Sequence, residues 1–185
     1  MVQTTTFNGI GGGEVNLGYI AEFWLIDVRD VLDLVSPNPA WGVYTIPAGG
    51  VALPAGLVLT HFRFGAKACT ADVGISRTEA GIAYSVTVTG NMPKPDMRLL
   101  GWLLLNTRRR WLVIYRDRNG VLWLGGKPDQ GWRLSWKHGT ADRNALELAV
   151  TGLNTSPPFQ LAEPTLEAMF PTPEFDLSFD LSFTS

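Results

Sequence analysis

Two apolar runs, 111–117 and 121–126, flank the dipeptide Asn119-Gly120. Asn-Gly is the favoured centre of a two-residue type I′ turn, because both central positions take positive φ. The dipeptide predicts an antiparallel hairpin that pairs Arg118 with Val121, Arg116 with Trp123 and Tyr115 with Leu124. One face then carries Trp111, Val113, Tyr115, Leu122 and Leu124 and belongs to the core. The other carries Arg116, Arg118 and Trp123, with the Arg116 guanidinium placed to stack on the Trp123 indole.

The rest of the chain supplies strands for such a hairpin to join. Glycine and proline punctuate it often, and the runs between them are short and β-rich. Residues 19–28 hold Phe23, Trp24, Leu25 and Ile26 in sequence, a continuity that fits a strand buried on both faces or within an interface. Residues 30–35 read as a short helical turn. Residues 36–56 read as a long Pro- and Gly-rich loop, with a brief strand at 41–46. A loop of that length in a compact domain usually has a task or folds against a partner. Further strands are expected at 57–64, 72–77, 82–89 (ended by Gly90), 132–137 and 145–151. The one helix starts at Pro95, where the missing N–H costs nothing, and Asp96 favours its positive end. Met97, Leu99, Leu100, Leu103 and Leu104 give it an apolar stripe. Asn106 and Arg108-Arg109-Arg110 close it, the cations lying near the negative helix end.

From 154 onward, Pro157, Pro158, Pro164, Pro171 and Pro173 break up regular structure, leaving one helical turn at 165–169. The chain then alternates strictly: Phe175, Leu177, Phe179, Leu181 and Phe183 on one strand face, Asp176, Ser178, Asp180 and Ser182 on the other. A lone strand cannot satisfy its own backbone or bury its own apolar face, so it needs a sheet edge on this subunit or another. The expected organisation is a β-rich domain over 1–160 and a Pro-rich arm over 161–185. Residues 163–185 carry five acidic and no basic residues, leaving 15 basic and 12 acidic in the remainder. A mildly basic body with an acidic arm suits docking between copies. The overall charge of −2 gives no general drive toward nucleic acid or anionic membrane. The 45% apolar content supports a packed core.

Chemistry has weaker signals. The single cysteine, Cys69, excludes an intrachain disulfide and a multi-cysteine zinc site. His61 lies in a strand pattern, so a Cys69–His61 nucleophile pair is disfavoured, and His138 sits at a strand end. Asp27, Asp30 and Asp33 lack the framework of a calcium loop and read as capping residues. Gly9, Gly11, Gly12 and Gly13 lack the Lys-Ser/Thr of a phosphate loop. The three arginines read as helix-terminal charge rather than as a phosphate patch. A hydrolase would need paired carboxylates such as Glu22 and Asp27 in one cleft. No catalytic residue, cofactor or metal site is therefore expected. Residues 1–13 show no signal-peptide pattern and no segment has the apolar length of a membrane helix. The seven tryptophans keep a carbohydrate-binding β-sandwich as the alternative, with Trp123, Trp132 and Trp136 as stacking candidates.

The block Met97-Arg98-Leu99-Leu100, then Trp111 through Gly125 with its Asp117-Arg118-Asn119-Gly120 turn, then Asp142-Arg143-Asn144 leading into Ala145-Leu146-Glu147-Leu148 and later Pro158-Phe159, resembles small structural proteins of bacteriophage and prophage tail modules. The resemblance covers roughly 80–159. It implies an antiparallel β-sandwich or barrel with one flanking helix (about 95–107), and assembly into homo-oligomeric rings as in tail tubes. It implies a virion location after synthesis in the host cytoplasm and other tail proteins as partners. It leaves open whether DNA passes through a lumen, without sequence recognition. The expected oligomer interface comprises Trp41 and Tyr44 in the long loop and Phe175, Leu177, Phe179, Leu181 and Phe183, exchanged between subunits.

Overall fold

The computed structural model describes residues 18–38, 43, 45–79, 81–93, 95, 97–139 and 145–170. Its strands are β1 (Ile20–Asp27), β2 (Asp33–Leu34), β3 (Thr45–Ile46), β4 (Val51–Ala52), β5 (Thr60–Arg63), β6 (Cys69–Thr78), β7 (Gly81–Pro93), β8 (Arg110–Asp117), β9 (Leu122–Gly125), β10 (Trp132–Gly139), β11 (Ala145–Asn154) and β12 (Phe159–Leu161). Helix α1 (Met97–Asn106) lies between β7 and β8, and a single turn, α2 (Leu166–Met169), follows β12. The protein is mainly β, as the sequence predicts. Apart from β2 and β4, which pair with each other, the strands form one large sheet. Its pairings are antiparallel except β3 with β12, which run parallel.

The sheet forks at β8. β1 pairs along one edge of β8, while β9 and the start of β10 share the other. One branch continues through β9, β12 and β3, the other through β10, β11, β7 and β6. Alternate residues of β1 and β8 therefore enter two different cores. Phe23, Leu25, Trp111, Val113 and Tyr115 pack with Val86, Val88, Trp132, Leu134, Leu146, Leu148, Val150 and the helix residue Leu103. Trp24, Ile26, Leu112 and Ile114 pack on the opposite side with Ile46, Val51, Leu122, Leu124, Leu161 and Met169. This double burial is why 19–28 reads as a continuous apolar run.

The hairpin differs from its predicted register by one residue. Tyr115 faces Trp123, and Arg116 faces Leu122. Gly120 N–H donates to the Asp117 carbonyl at 3.1 Å, Asp117 N–H to the Val121 carbonyl at 3.0 Å, and only Gly120 (φ 87°) takes positive φ in the turn. This is a three-residue loop ending in a glycine bulge rather than a type I′ turn. The Asp117 carboxylate selects it, accepting from Asn119 N–H at 2.9 Å and Val121 N–H at 3.0 Å. A one-residue slip exchanges strand faces. Leu122 and Leu124 thus join the second core, away from Trp111, Val113 and Tyr115, and the expected Arg116–Trp123 stacking gives way to an Arg116–Glu22 ion pair.

Other elements also depart from expectation. Gly90 does not end β7; a Cβ there would lie 2.3 Å from the Phe64 ring, so the glycine lets the ring lie across the strand. The turn expected at 30–35 is instead a 3-10 turn at Val28–Asp30 followed by β2. On α1, Leu103 is buried and Leu99, Leu100 and Trp102 pack on the first core, but Met97 and Leu104 are 80% and 69% exposed. The boundary at 160 falls inside β12. Leu161 and Met169 are 2% and 0% exposed, so 161–170 belongs to the body and not to an arm. Thr165 caps α2, its hydroxyl accepting from Ala168 N–H at 3.2 Å. The described part of the long loop packs on its own chain too: Ile46 and Val51, both within it, are buried in the second core.

Candidate functional site

The expected interface residues Trp41, Tyr44, Phe175, Leu177, Phe179, Leu181 and Phe183 lie outside the described residues. Cys69 and His61 do not meet. Cys69 is buried in the first core, where desolvation pushes its thiol up to about 12, whereas His61 points to the other side of β5. Glu22 and Asp27 are five positions apart on β1, on opposite faces and roughly 16 Å apart along the strand, so they share no cleft. Each is neutralised separately. Asp27 pairs with Arg29 at 2.7 Å and Arg109 at 3.1 Å. The Arg29 hydrogen bonds hold its carboxyl below the usual carboxylate range against the opposing effect of burial. One of the three consecutive arginines is thereby absorbed into structure.

The three stacking candidates each have partners within the fold. Trp132 is fully buried in a slot made by glycines: a Cβ on Gly125 or Gly152 would lie 2.0 or 1.9 Å from its indole. With the Asn154 amide oriented to satisfy its neighbours, its oxygen accepts from Trp132 Nε1 at 2.7 Å. Trp132 therefore presents no face to a sugar. Trp123 packs on the first core and donates to Asp117 at 3.4 Å, and Trp136 Nε1 donates to Thr107 Oγ1 at 3.4 Å.

Register, rather than sequence proximity, builds the most concentrated polar site. Glu22 on β1 faces Arg63 on β5 and Arg116 on β8, so one row crosses three strands as Arg–Glu–Arg. Glu22 is only 3% exposed. It pairs with Arg116, with Arg63 at 3.3 Å and with His61 Nε2 at 2.7 Å. His61 stacks on Trp24 at 4.7 Å between ring centroids. Burial and the Arg63 cation lower the imidazole below its ordinary value. The Glu22 side chain thus has three partners from two strands, an arrangement that ties β1 to β5 and β8. Its one signal in sequence is an acid inside the apolar run of β1.

Among the described residues the large sheet ends in three unpaired edges: β5 pairs only with β1, β6 only with β7, and the two-residue β3 only with β12. The β6–β7 hairpin also outruns the core. Its inner face begins at buried Cys69 and Val88 but ends in Val73, Ile75 and Ile82, which are 49%, 68% and 52% exposed. The ten residues of β6 contain no proline and no lysine, and its charges are Asp72 and Arg77, the latter on the same face as Val73 and Ile75 and opposite Ile82. Fold and surface together define a mainly-β domain with open strand edges. Comparison with family models, curated proteins and solved structures returns no match.

Proposed function

We propose that this chain is a non-enzymatic structural subunit that assembles with copies of itself into rings, in a phage tail or a related tube. The observation that carries the reading is the β6–β7 hairpin: a ten-residue edge, unpaired among the described residues, whose inner face exposes Val73, Ile75 and Ile82. Such an edge offers main-chain hydrogen bonds to another strand, and its apolar row gives that strand something to cover. Repeated around an axis, a head-to-tail contact closes into a ring or continues as a tube. The sequence assigned the joining role to a long C-terminal arm. With 161–170 packed in the body, β6 is the better-supported joining edge. The resemblance over roughly 80–159 supports the tail assignment.

Negative-stain microscopy and light scattering on the purified full chain test this. Rings or stacked rings are expected, and Val73→Asp with Ile75→Asp should return monomers with an unchanged circular dichroism spectrum. A wild-type chain that stays monomeric at every concentration would sink the reading.

A further inference from the structure

The fold twice sets two arginines around one carboxylate: Arg29 and Arg109 around Asp27, Arg63 and Arg116 around Glu22. A further pair, Arg110 and Arg133, flanks a concavity of about 560 Å³. The two are direct cross-strand partners on β8 and β10, so their Cβ atoms lie roughly 5 Å apart on one face. The adjacent pair, Trp132 with Trp111, fixes this register, because the Trp132 indole is seated in the slot left by Gly125 and Gly152. Like charges held opposite each other cost stability, and an anion between them reverses the sign of that interaction. From the arginines a polar row continues over two more strands: Arg133 faces Thr151 on β11, and Thr151 faces Thr87 on β7. All four residues line the concavity, and its wall is the turn that ends at Gly131. That wall is held in place. Gln130 N–H donates to the Lys127 carbonyl at 3.0 Å, and Thr155 N–H donates to Gln130 Oε1 at 3.2 Å. Arg110 Nη1 donates to the Gly131 carbonyl at 3.5 Å. A Cβ on Gly131 would lie 2.8 Å from the Arg110 Cβ, so glycine lets the turn close over that arginine.

We propose that this concavity binds a small hydroxylated phosphate ester, such as a sugar phosphate, with the phosphate held between the Arg110 and Arg133 guanidiniums and by the Thr151 hydroxyl. Two planar forks and a hydroxyl from three different strands offer donors from several directions. That suits the tetrahedral oxygens of a phosphate better than the planar pair of a carboxylate. The row from Arg110 to Thr87 crosses three strand spacings, roughly 14 Å, which is longer than a phosphate alone and leaves Thr87 for the rest of the ligand. Asp129 also lines the wall. Its carboxylate opposes a polyanion such as nucleic acid and accepts from a ligand hydroxyl.

Two-dimensional NMR titration of the full chain with glucose 6-phosphate, inorganic phosphate, glucose and acetate reads this directly. Glucose 6-phosphate should give saturable shifts at the Gly131, Arg133 and Thr151 amides and should bind more tightly than inorganic phosphate. Glucose and acetate should leave those amides in place. Arg110→Gln and Arg133→Gln should each weaken glucose 6-phosphate binding about tenfold or more. Lys137→Gln, which removes a cation from the same face of β10, should leave binding unchanged. A spectrum dispersed like that of the unmodified chain checks that each variant folds. Absence of saturable shifts, an equal loss in Lys137→Gln, or acetate binding as tightly as glucose 6-phosphate would overturn the site. Inorganic phosphate binding as tightly as glucose 6-phosphate would overturn the assignment to an ester.

Discussion

The two faces of the β1–β8 pair are closed by different means. The first is covered by long strands, β7, β10 and β11, with α1 packed on them. The second is covered by pieces: β3, β4 and β12, of two or three residues each, and the single turn α2. Both cores are equally dry, with Trp132 and Val113 fully buried on one side and Ile46 and Met169 on the other. Burial therefore does not require regular structure, but cooperativity does. Each short piece contributes few ladder hydrogen bonds and depends on side chains that reach the core.

The sharpest way to break the first face is Trp132→Ala. The indole fills a slot that its glycine neighbours cannot close, so a loss of about 4–5 kcal/mol is expected in urea unfolding. On the second face, Leu161→Ala should cost about 3 kcal/mol, a result that would be near zero if 161–170 were a loose arm. A smaller effect, about 1–2 kcal/mol, is expected for Glu22→Gln, because Arg63 and Arg116 are exposed enough to recover water. The comparison itself is sharpened by native-state hydrogen exchange. Amides of Ile46 and Leu161 should open at lower free energy than those of Leu148 and Val113, showing that the second face unfolds first. If all four exchange only by global unfolding, the two faces form one cooperative unit.

The smallest expected effect is a pH dependence at the junction of the two faces. His61 titrates below its ordinary 6.5 in the folded chain because of burial and Arg63. The unfolded state then binds more protons, so this contribution is complete above the unfolded value and is lost as pH falls through the folded one. Asp27, also lowered, acts with the same sign at more acid pH. Stability should decline on acidification below about pH 6.5, and His61→Gln should flatten the first part of that decline. A stability curve that rises on acidification there would contradict the lowered His61 imidazole.

Much of the first face was legible in the chain. The alternation of Trp132 and Leu134, of Leu146, Leu148 and Val150, and the apolar run of β1 all report local geometry that a strand imposes on any sequence. The helix was legible as an element, but its buried side was not. Leu99, Leu100, Leu103 and Leu104 are equivalent as letters, and only the direction from which Trp111 and Phe62 approach Trp102 decides which of them is covered. The second face was not legible, since prolines and glycines around 45–56 and 155–165 mark it as linker, and its few apolar residues gain meaning only from what lies opposite.

What the sequence by itself determined is the class: a β-rich domain, one helix after β7 and a hairpin at Asn119-Gly120. These follow from periodicity and turn chemistry, which act over a few residues. The hairpin register is also set locally, by two backbone N–H groups donating to the Asp117 carboxylate, but the faces it gives Leu122 and Leu124 gain their meaning only from the second core that covers them. Tertiary structure alone decided the Arg63–Glu22–Arg116 row, whose members lie 41 and 94 residues from Glu22 in the chain. Contacts across such separations depend on the register of every intervening strand pair, and a one-residue slip in any of them would undo the row.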